Sequence, residues 1–186
     1  NIKKKINIAA KRQPADLVIK NCKIVNVFTH EIIEGDIAIS DGKIAAVGNY
    51  SGEKEVDAEG RYALPGFINS HIHIESSFVS PEEFSRLVVP HGTTTIIADP
   101  HEIVNVCGMD GFDYMVKAGE NAALNIKYML PSCVPCTPWE HAGTVVDSKA
   151  ISEVINQDKV FGMGEFMNTV GVINTDSEVI EKISLC

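Results

Sequence analysis

The sequence predicts an α/β protein in two parts, a small β domain at residues 1–64 followed by strand-loop-helix units at residues 65–186. Two observations support this division. Before residue 64, short β-branched runs alternate with turn signals, which is typical of a small sheet. After it, apolar strands alternate with helical patterns, and strands that are apolar on both faces indicate a parallel sheet.

The first part contains four β-branched runs. Asp16–Lys20 and Lys23–Val27 come first. Asp36–Ser40 and Lys43–Val47 follow, and Asp41-Gly42 between them is a strong two-residue hairpin signal. These runs predict a small antiparallel sheet.

The second part contains four strand patterns, each followed by a helical pattern. The best-defined helix start is Ser80-Pro81-Glu82-Glu83, because it combines an N-cap serine, a proline at the first helical position and a glutamate at the third. The predicted strands are Leu64–Ile74, Thr93–Ala98, Ile126–Leu130 and Val160–Met163. The other predicted helices are Met109–Ala123, Lys149–Asn156 and Ser177–Ser184.

These units form either a compact four-strand α/β domain or the front half of a closed barrel, which needs eight such units and about 250 residues. The residues by themselves leave both architectures open.

Composition and charge exclude several classes of protein. The chain has 16 Lys and Arg against 25 Asp and Glu, a net charge of −9, and 45% hydrophobic residues. This composition is ordinary for a globular chain and argues against a disordered or coiled-coil protein. The acidic balance argues against a nucleic-acid-binding domain, and the basic segment 1–23 is interpreted as a solvated end.

Localisation is inferred from the lack of membrane and export signals and from the cysteines. No apolar run reaches the roughly 18 residues that span a bilayer, and no secretory signal opens the chain. Five cysteines, an odd number, indicate reduced thiols, and we expect a cytoplasmic protein. Cys133-Val134-Pro135-Cys136 lacks the second pair that a structural zinc site needs.

The strongest chemical signal is the His-x-His pattern at the end of the first strand of the second part. Alternate residues of a strand share one face, so His71, His73 and Glu75 are predicted to point the same way. The strand is too apolar to be a surface strand. Two imidazoles on one face can bind a divalent ion, and the C-terminal ends of parallel strands are where such folds build their sites.

Two further strand ends carry ionisable residues. Asp99, His101 and Glu102 follow the second strand, where the alternative role is to cap the next helix. Glu165 follows the fourth strand within Gly162-Met163-Gly164-Glu165. From the same sheet edge, its carboxylate could reach the metal and bridge two cations.

Four motifs in order resemble the amidohydrolase superfamily, and within it the members that deaminate purines. They are "LPGFINSHIHIESS", "GTTTIIADPHEIVNVCG", "LPSCVP" and "GMGEFMNTVGVI", and the resemblance covers nearly all 186 residues. It implies the first half of a (β/α)₈ TIM barrel, preceded by part of a small β-sandwich domain.

The resemblance also implies a binuclear metal centre. His71 and His73 would bind one ion, and Glu165 would take the bridging role that a carboxylated lysine has in many relatives. Asp99, His101 and Glu102 would lie around the site as catalytic or substrate groups. Manganese is the expected metal, with iron and zinc as alternatives, because mixed nitrogen and oxygen ligands suit all three.

The implied activity is hydrolytic deamination of adenine by water to hypoxanthine and ammonia. We expect a homo-oligomer with no nucleic-acid or membrane partner. The later metal ligands of the family have no counterpart up to Cys186. The chain is therefore expected to correspond to about the first third of such an enzyme and to be inactive alone.

The residue type at position 75 is informative about the charge of the substrate. Dihydroorotase-like relatives have an arginine at the equivalent place, where it pairs with a substrate carboxylate. A glutamate accepts hydrogen bonds and repels anions, which favours a purine with N–H donors. The alternative for Glu75 is a structural partner of a histidine N–H. For the whole protein, the alternatives are another amidohydrolase, such as a cyclic amidase or deacetylase, and a non-catalytic amidohydrolase-like interaction protein.

Overall fold

The computed structural model describes residues 1–186 and divides into two compact units, Asn1–Pro65 and Gly66–Cys186. The strands are β1 (Ala15–Asn26), β2 (Glu31–Ser40), β3 (Lys43–Gly48), β4 (Gly52–Asp57), β5 (Tyr62–Ala63), β6 (Phe67–Ile72), β7 (Thr93–Ala98), β8 (Asn125–Leu130) and β9 (Val160–Met163). The helices are α1 (Ile2–Ala9), α2 (Pro81–Val88), α3 (His101–Cys107), α4 (Met109–Gly119), α5 (Ser148–Val154), α6 (Thr169–Ile173) and α7 (Ser177–Ser184). None of the helices combines the length and the apolar character that a bilayer crossing requires.

The N-terminal unit is a mixed sheet rather than the predicted antiparallel one. Its order is β3-β2-β1-β4, and β5 also pairs with β1. Strand β1 is antiparallel to β2 but parallel to β4 and β5. The two runs predicted as separate strands form one strand with a register shift between Ile19 and Cys22, because a bulge lets pairing with β2 continue past the irregularity.

The first residues form a helix that the sequence analysis interpreted as a solvated end. Helix α1 buries Ile8 completely against Ala15, Val18 and Ala38. The lysines of this helix remain partly exposed, and Lys4 forms an ion pair with Asp16 at 2.7 Å. The basic residues of this segment are therefore compatible with a helix that buries one residue, Ile8, in the core.

The C-terminal unit is a parallel sheet in the order β6-β7-β8-β9. Ile96 of β7 and Leu130 of β8 are fully buried in its core. Helix α2 begins where the capping pattern predicted, since the Ser80 side chain accepts a hydrogen bond from the Glu83 N–H. All four strands therefore place their C-terminal ends at one edge of the sheet, where ionisable residues follow three of them.

Several elements of this unit differ from the predicted ones. Helix α4 ends at Gly119 rather than Ala123, α5 spans Ser148–Val154 rather than Lys149–Asn156, and α6 was not predicted. Strand β6 ends at Ile72, and Ile74–Ser77 forms a 3₁₀ turn, so the predicted strand Leu64–Ile74 is too long. Helix α3 begins at His101, two residues after β7 ends, and no helix was predicted there. The apolar pattern continues past Ile72 because Ile74 is buried, although the backbone has already turned.

The two outer strands of the parallel sheet, β6 and β9, each have one neighbour. Phe67 and Ile68 on β6 are more than half exposed, as is Phe161 on β9. An unpaired strand edge beside apolar side chains is a template for pairing with another chain.

We therefore expect the isolated 186-residue chain to associate with itself. Light scattering of the purified chain should give a mass above the 20.2 kDa of one copy. A stable, monodisperse species of one chain mass would contradict this expectation.

Candidate metal centre

The two histidines of the His-x-His pattern lie at the end of β6. His71 is the second-last residue of the strand, and His73 is the first residue after the strand ends at Ile72. Their rings meet edge to face, with centroids 4.9 Å apart and planes at 86°. The Asn69 side chain accepts a hydrogen bond from the His71 N–H at 3.2 Å, which supports the backbone at the strand end.

Glu165 brings its carboxylate to both histidines. Its Oε2 lies 3.6 Å from His71 Nε2, and its Oε1 lies 3.2 Å from His73 Nε2. One donor atom from each of the three residues lies within 4.8 Å of the others. Because β6 and β9 are opposite edges of the sheet, a flat sheet would separate them by three spacings, about 14 Å. The short distances between the side chains at their C-terminal ends fit a sheet that curves as the wall of a barrel does.

A second group of ionisable side chains lies beside the first. Asp99 is fully buried, and its Oδ1 is 2.6 Å from Nδ1 of His101, which is also buried. The ring of His101 is 6.0 Å from that of His73, and Asp99, His101 and His73 form a second set of donor atoms within 4.8 Å of one another. The structure thus places the residues predicted after β7 next to those predicted after β6.

His73 lies among carboxylates. Its Nδ1 is 3.1 Å from the Glu102 Oε2, and Glu102 itself is half exposed. Burial lowers the pKa of His73, but the nearby charges of Glu102, Asp99 and Glu165 outweigh it and raise that pKa. The surroundings of this imidazole therefore favour positive charge.

Glu75 does not share the position of the histidines. Strand β6 ends at Ile72, so the alternation of side chains along the strand does not extend to Glu75. The prediction that Glu75 points the same way as His71 and His73 is therefore wrong. The Glu75 Oε1 instead accepts a hydrogen bond from the Ile103 N–H at 3.2 Å, in the first turn of α3. Burial raises the pKa of Glu75. The alternative role predicted for Glu75, as the partner of a histidine N–H, does not match this hydrogen bond, because the donor is the backbone of Ile103.

Two buried polar atoms at this site, Glu75 Oε2 and His101 Nε2, have neither a hydrogen-bond partner nor an ion-pair partner. Buried polar groups are nearly always satisfied, so these two atoms call for an explanation. Imidazole nitrogens and carboxylate oxygens are ligands for zinc, manganese and iron, and the residues present therefore fit a divalent cation. The other buried ring nitrogens and carboxylate oxygen of the site are close to one polar atom each, His73 Nδ1 to Glu102 and His101 Nδ1 to Asp99 Oδ1.

A cavity of about 220 Å³ opens beside this cluster. His73, His101, Glu102 and Glu165 contribute to its wall. Six further residues line it that the sequence patterns did not predict for the site, four of them within the quoted motifs. These four are Asn105, Cys133, Val134 and Met167, and the other two are Cys136 and Glu140.

Gly164 allows a close approach of the Asp99 side chain. A Cβ at this position would lie 2.0 Å from Oδ2 of Asp99. The Asp99 carboxylate therefore occupies the space that any side chain would need. The close approach lets Asp99 Oδ2 accept a hydrogen bond from the Glu165 N–H at 3.0 Å.

The parallel β/α units, with His-x-His after the first strand and a glutamate after the fourth, define a half-barrel of the metal-dependent hydrolase type. The model of the Amidohydrolase family matches residues 62–186. The chain belongs to the amidohydrolase family.

Curated relatives match almost the whole chain. The chain is 60% identical over 182 residues to adenine deaminase 2 of Desulfotalea psychrophila, and 51% identical over 184 residues to adenine deaminase of Clostridium acetobutylicum. These alignments cover 98% and 99% of this chain, but 32% of each relative. The chain thus spans about a third of the length of the curated relatives that it matches.

Solved structures share the fold. A mutant of atrazine chlorohydrolase TrzN from Arthrobacter aurescens TC1, complexed with zinc and atraton, matches with a TM-score of 0.58 at 18% identity. The match covers 76% of this chain and 43% of the other. At this identity the likeness concerns the fold, and it supports the assignment of β6–β9 to the first half of a TIM barrel.

Proposed function

We propose that the full-length protein is a metal-dependent adenine deaminase, which hydrolyses adenine to hypoxanthine and ammonia. The observation that carries the proposal is the convergence of His71, His73 and Glu165 on one point in a chain of the amidohydrolase family. Relatives 48–60% identical over nearly the whole chain bear the name adenine deaminase, which supports this substrate over others of the family.

For the metal, we propose that His71 and His73 bind one divalent ion and that Glu165 bridges it to a second. The two oxygens of Glu165 already face different imidazoles, which suits a bridging carboxylate. Manganese is the proposed ion, with iron and zinc as alternatives. The zinc in the TrzN complex supports a divalent ion in this fold but does not select among the three.

The proposed chemistry divides among the surrounding residues. A bound cation supplies the Lewis acidity that lets water act as a nucleophile at neutral pH. Glu102, half exposed at the cavity wall, and His101, beside it, are proposed to accept and return protons as the amino group leaves. Asp99 and Glu75 are proposed to position these groups, since Asp99 contacts His101 and Glu75 binds the first turn of α3.

The cavity favours a neutral, flat substrate with hydrogen-bond donors. Carboxylates of Glu102 and Glu140 line it, and the Thr137 hydroxyl donates to Glu140 at 2.8 Å, which fixes that side chain. Cys136 and Met167 contribute less polar surface. Carboxylates accept from N–H donors and repel anions, so this lining suits a purine better than an acidic ring.

The full-length protein loaded with Mn²⁺ is therefore expected to release ammonia from adenine and to leave dihydroorotate unchanged. Ammonia release and chromatography of each reaction measure both, with adenosine as a test of whether the site accepts a ribose.

The 186-residue chain alone should be inactive in the same assay, because three ligands do not complete a two-metal site. Turnover of dihydroorotate with adenine inert would contradict the proposal and point to another amidohydrolase activity. A non-catalytic scaffold is expected to hold no stoichiometric metal, so elemental analysis of the purified protein tests that alternative.

We further propose a cytoplasmic, homo-oligomeric enzyme that acts without a nucleic-acid or membrane partner. The net charge of −9 supports the exclusion of nucleic acid. The five free cysteines support a reducing compartment.

A further inference from the structure

We infer that Ser132 is a positioning residue for the metal ligand Glu165, acting with Asp99 to fix the backbone of that glutamate from both sides. The inference rests on the proposed metal-binding role of Glu165. It assigns a function to the "LPSCVP" motif, whose residues the proposed chemistry does not use.

Side chains bind both backbone polar groups of Glu165. The N–H donates to Asp99 Oδ2 at 3.0 Å, and the C=O accepts from the Ser132 hydroxyl at 2.5 Å. Ser132 and Asp99 are both fully buried. The two peptide groups on either side of the Glu165 Cα are therefore each held by a buried side chain, which restricts rotation about φ and ψ of Glu165.

The neighbouring backbone is anchored in the same way. The Gly164 N–H donates to the Leu130 C=O at 2.7 Å, and the Met167 N–H donates to Cys133 Sγ at 3.3 Å. Leu130, Ser132 and Cys133 belong to one segment at the end of β8. This segment therefore binds the chain before, at and after Glu165.

These bonds matter because no regular secondary structure holds Glu165. It lies two residues beyond the end of β9 at Met163, outside any sheet ladder or helix. Its carboxylate forms ion pairs with His71 and His73, at 3.6 and 3.2 Å. The position of the carboxylate therefore depends on the backbone, which Asp99 and Ser132 hold at Glu165 itself and which the end of β8 also holds on either side.

Ser132 is itself held in place from the C-terminal helix. Lys182 of α7 donates from Nζ to the Ser132 C=O at 3.2 Å. Residues that orient a metal ligand typically change metal affinity or activity by about 10-fold to 100-fold when they are mutated. A serine that only satisfied a buried carbonyl would change stability and leave the metal affinity of the folded protein unaltered.

The test compares Ser132→Ala with Ser85→Ala in the full-length protein. Ser85 is a matched control, because it is also buried and its hydroxyl also donates to a backbone carbonyl, that of Glu82, at 2.7 Å. Mn²⁺ affinity is measured by titration of the metal-free protein, and thermal unfolding by circular dichroism. We expect Ser132→Ala to weaken Mn²⁺ binding by about 10-fold or more, Ser85→Ala to leave it unchanged, and both to lower the unfolding temperature.

Lys182→Met gives a milder test if Ser132→Ala is insoluble, since it removes one bond to the Ser132 backbone from a partly exposed helix. It should weaken Mn²⁺ binding in the same direction by a smaller factor. Wild-type affinity in a folded Ser132→Ala protein, or in Lys182→Met where that variant replaces it, overturns the inference and leaves the proposed metal centre intact. If the wild-type protein contains no stoichiometric Mn²⁺, Fe²⁺ or Zn²⁺, the proposed metal centre and the inference about Ser132 are both wrong.

Discussion

Replacing both His71 and His73 with alanine in the full-length protein is expected to remove bound metal and to abolish ammonia release from adenine. Both rings face the Glu165 carboxylate, at 3.6 and 3.2 Å, and no other histidine of the chain is in that group of donor atoms. Loss of two direct ligands should exceed the about 100-fold upper end typical of mutating a ligand's hydrogen-bond partner. Elemental analysis of the purified variant, together with the ammonia assay, measures both effects.

The matched control is the double variant His30→Ala and His91→Ala. His30 lies in the turn between β1 and β2, and His91 lies in a 3₁₀ turn before β7. Neither belongs to a group of candidate ligands. This variant should keep the metal and the activity, so a loss specific to the first pair identifies the site. If the variant lacking His71 and His73 kept its metal and its turnover, the proposed centre would be wrong.

Gly164→Ala is the second substitution with a large expected effect. The new Cβ would lie 2.0 Å from Asp99 Oδ2 and 2.6 Å from Asp99 Cγ. Asp99 is fully buried and cannot swing into solvent, so either its carboxylate or the Glu165 backbone must shift. We expect a destabilisation of about 1–3 kcal/mol, the range for overpacking a core. Mn²⁺ affinity should fall by about 10-fold or more because Glu165 is displaced.

Gly162→Ala on β9 is the control for this prediction. Its Cβ would meet only the side chain of Met129, with the terminal methyl at 3.2 Å, and a flexible methionine can move aside. Denaturant unfolding and Mn²⁺ titration of the two full-length variants therefore separate a general glycine effect from the loss of the Asp99 contact. Equal stability and equal metal affinity in the two variants would show that the close approach of Asp99 has no function.

The features that followed directly from the sequence are local ones. A capping pattern of four residues predicted the start of α2 at Pro81, and the structure has it there. Strand ends followed by ionisable residues predicted where His71, His73, Asp99 and His101 would lie, because parallel strands share one C-terminal edge. The same reasoning placed Glu165 at this edge, the family resemblance gave it the bridging role, and the structure brings it to the two histidines.

Other features depend on which distant segments meet, and no local pattern carries that information. The pairing of β1 with β4 makes the first sheet mixed, and a run such as Gly52–Asp57 does not encode its partner or direction. Glu75 left the face of the histidines because the backbone turned after Ile72, while the apolar pattern continued to Ile74.

The sequence by itself determined the class of the protein, the strand ends that carry the candidate site residues, and the residue types that can bind a divalent ion. The tertiary structure alone decided how the glutamate is held against the histidines. Asp99 and Ser132 are 33 residues or more from Glu165 along the chain, yet they bind its N–H and C=O. Gly164 lies against the buried Asp99 carboxylate. Such contacts form only when the ends of three parallel strands come together, since hydrogen bonds and steric fit act at a few ångströms whatever the separation in sequence.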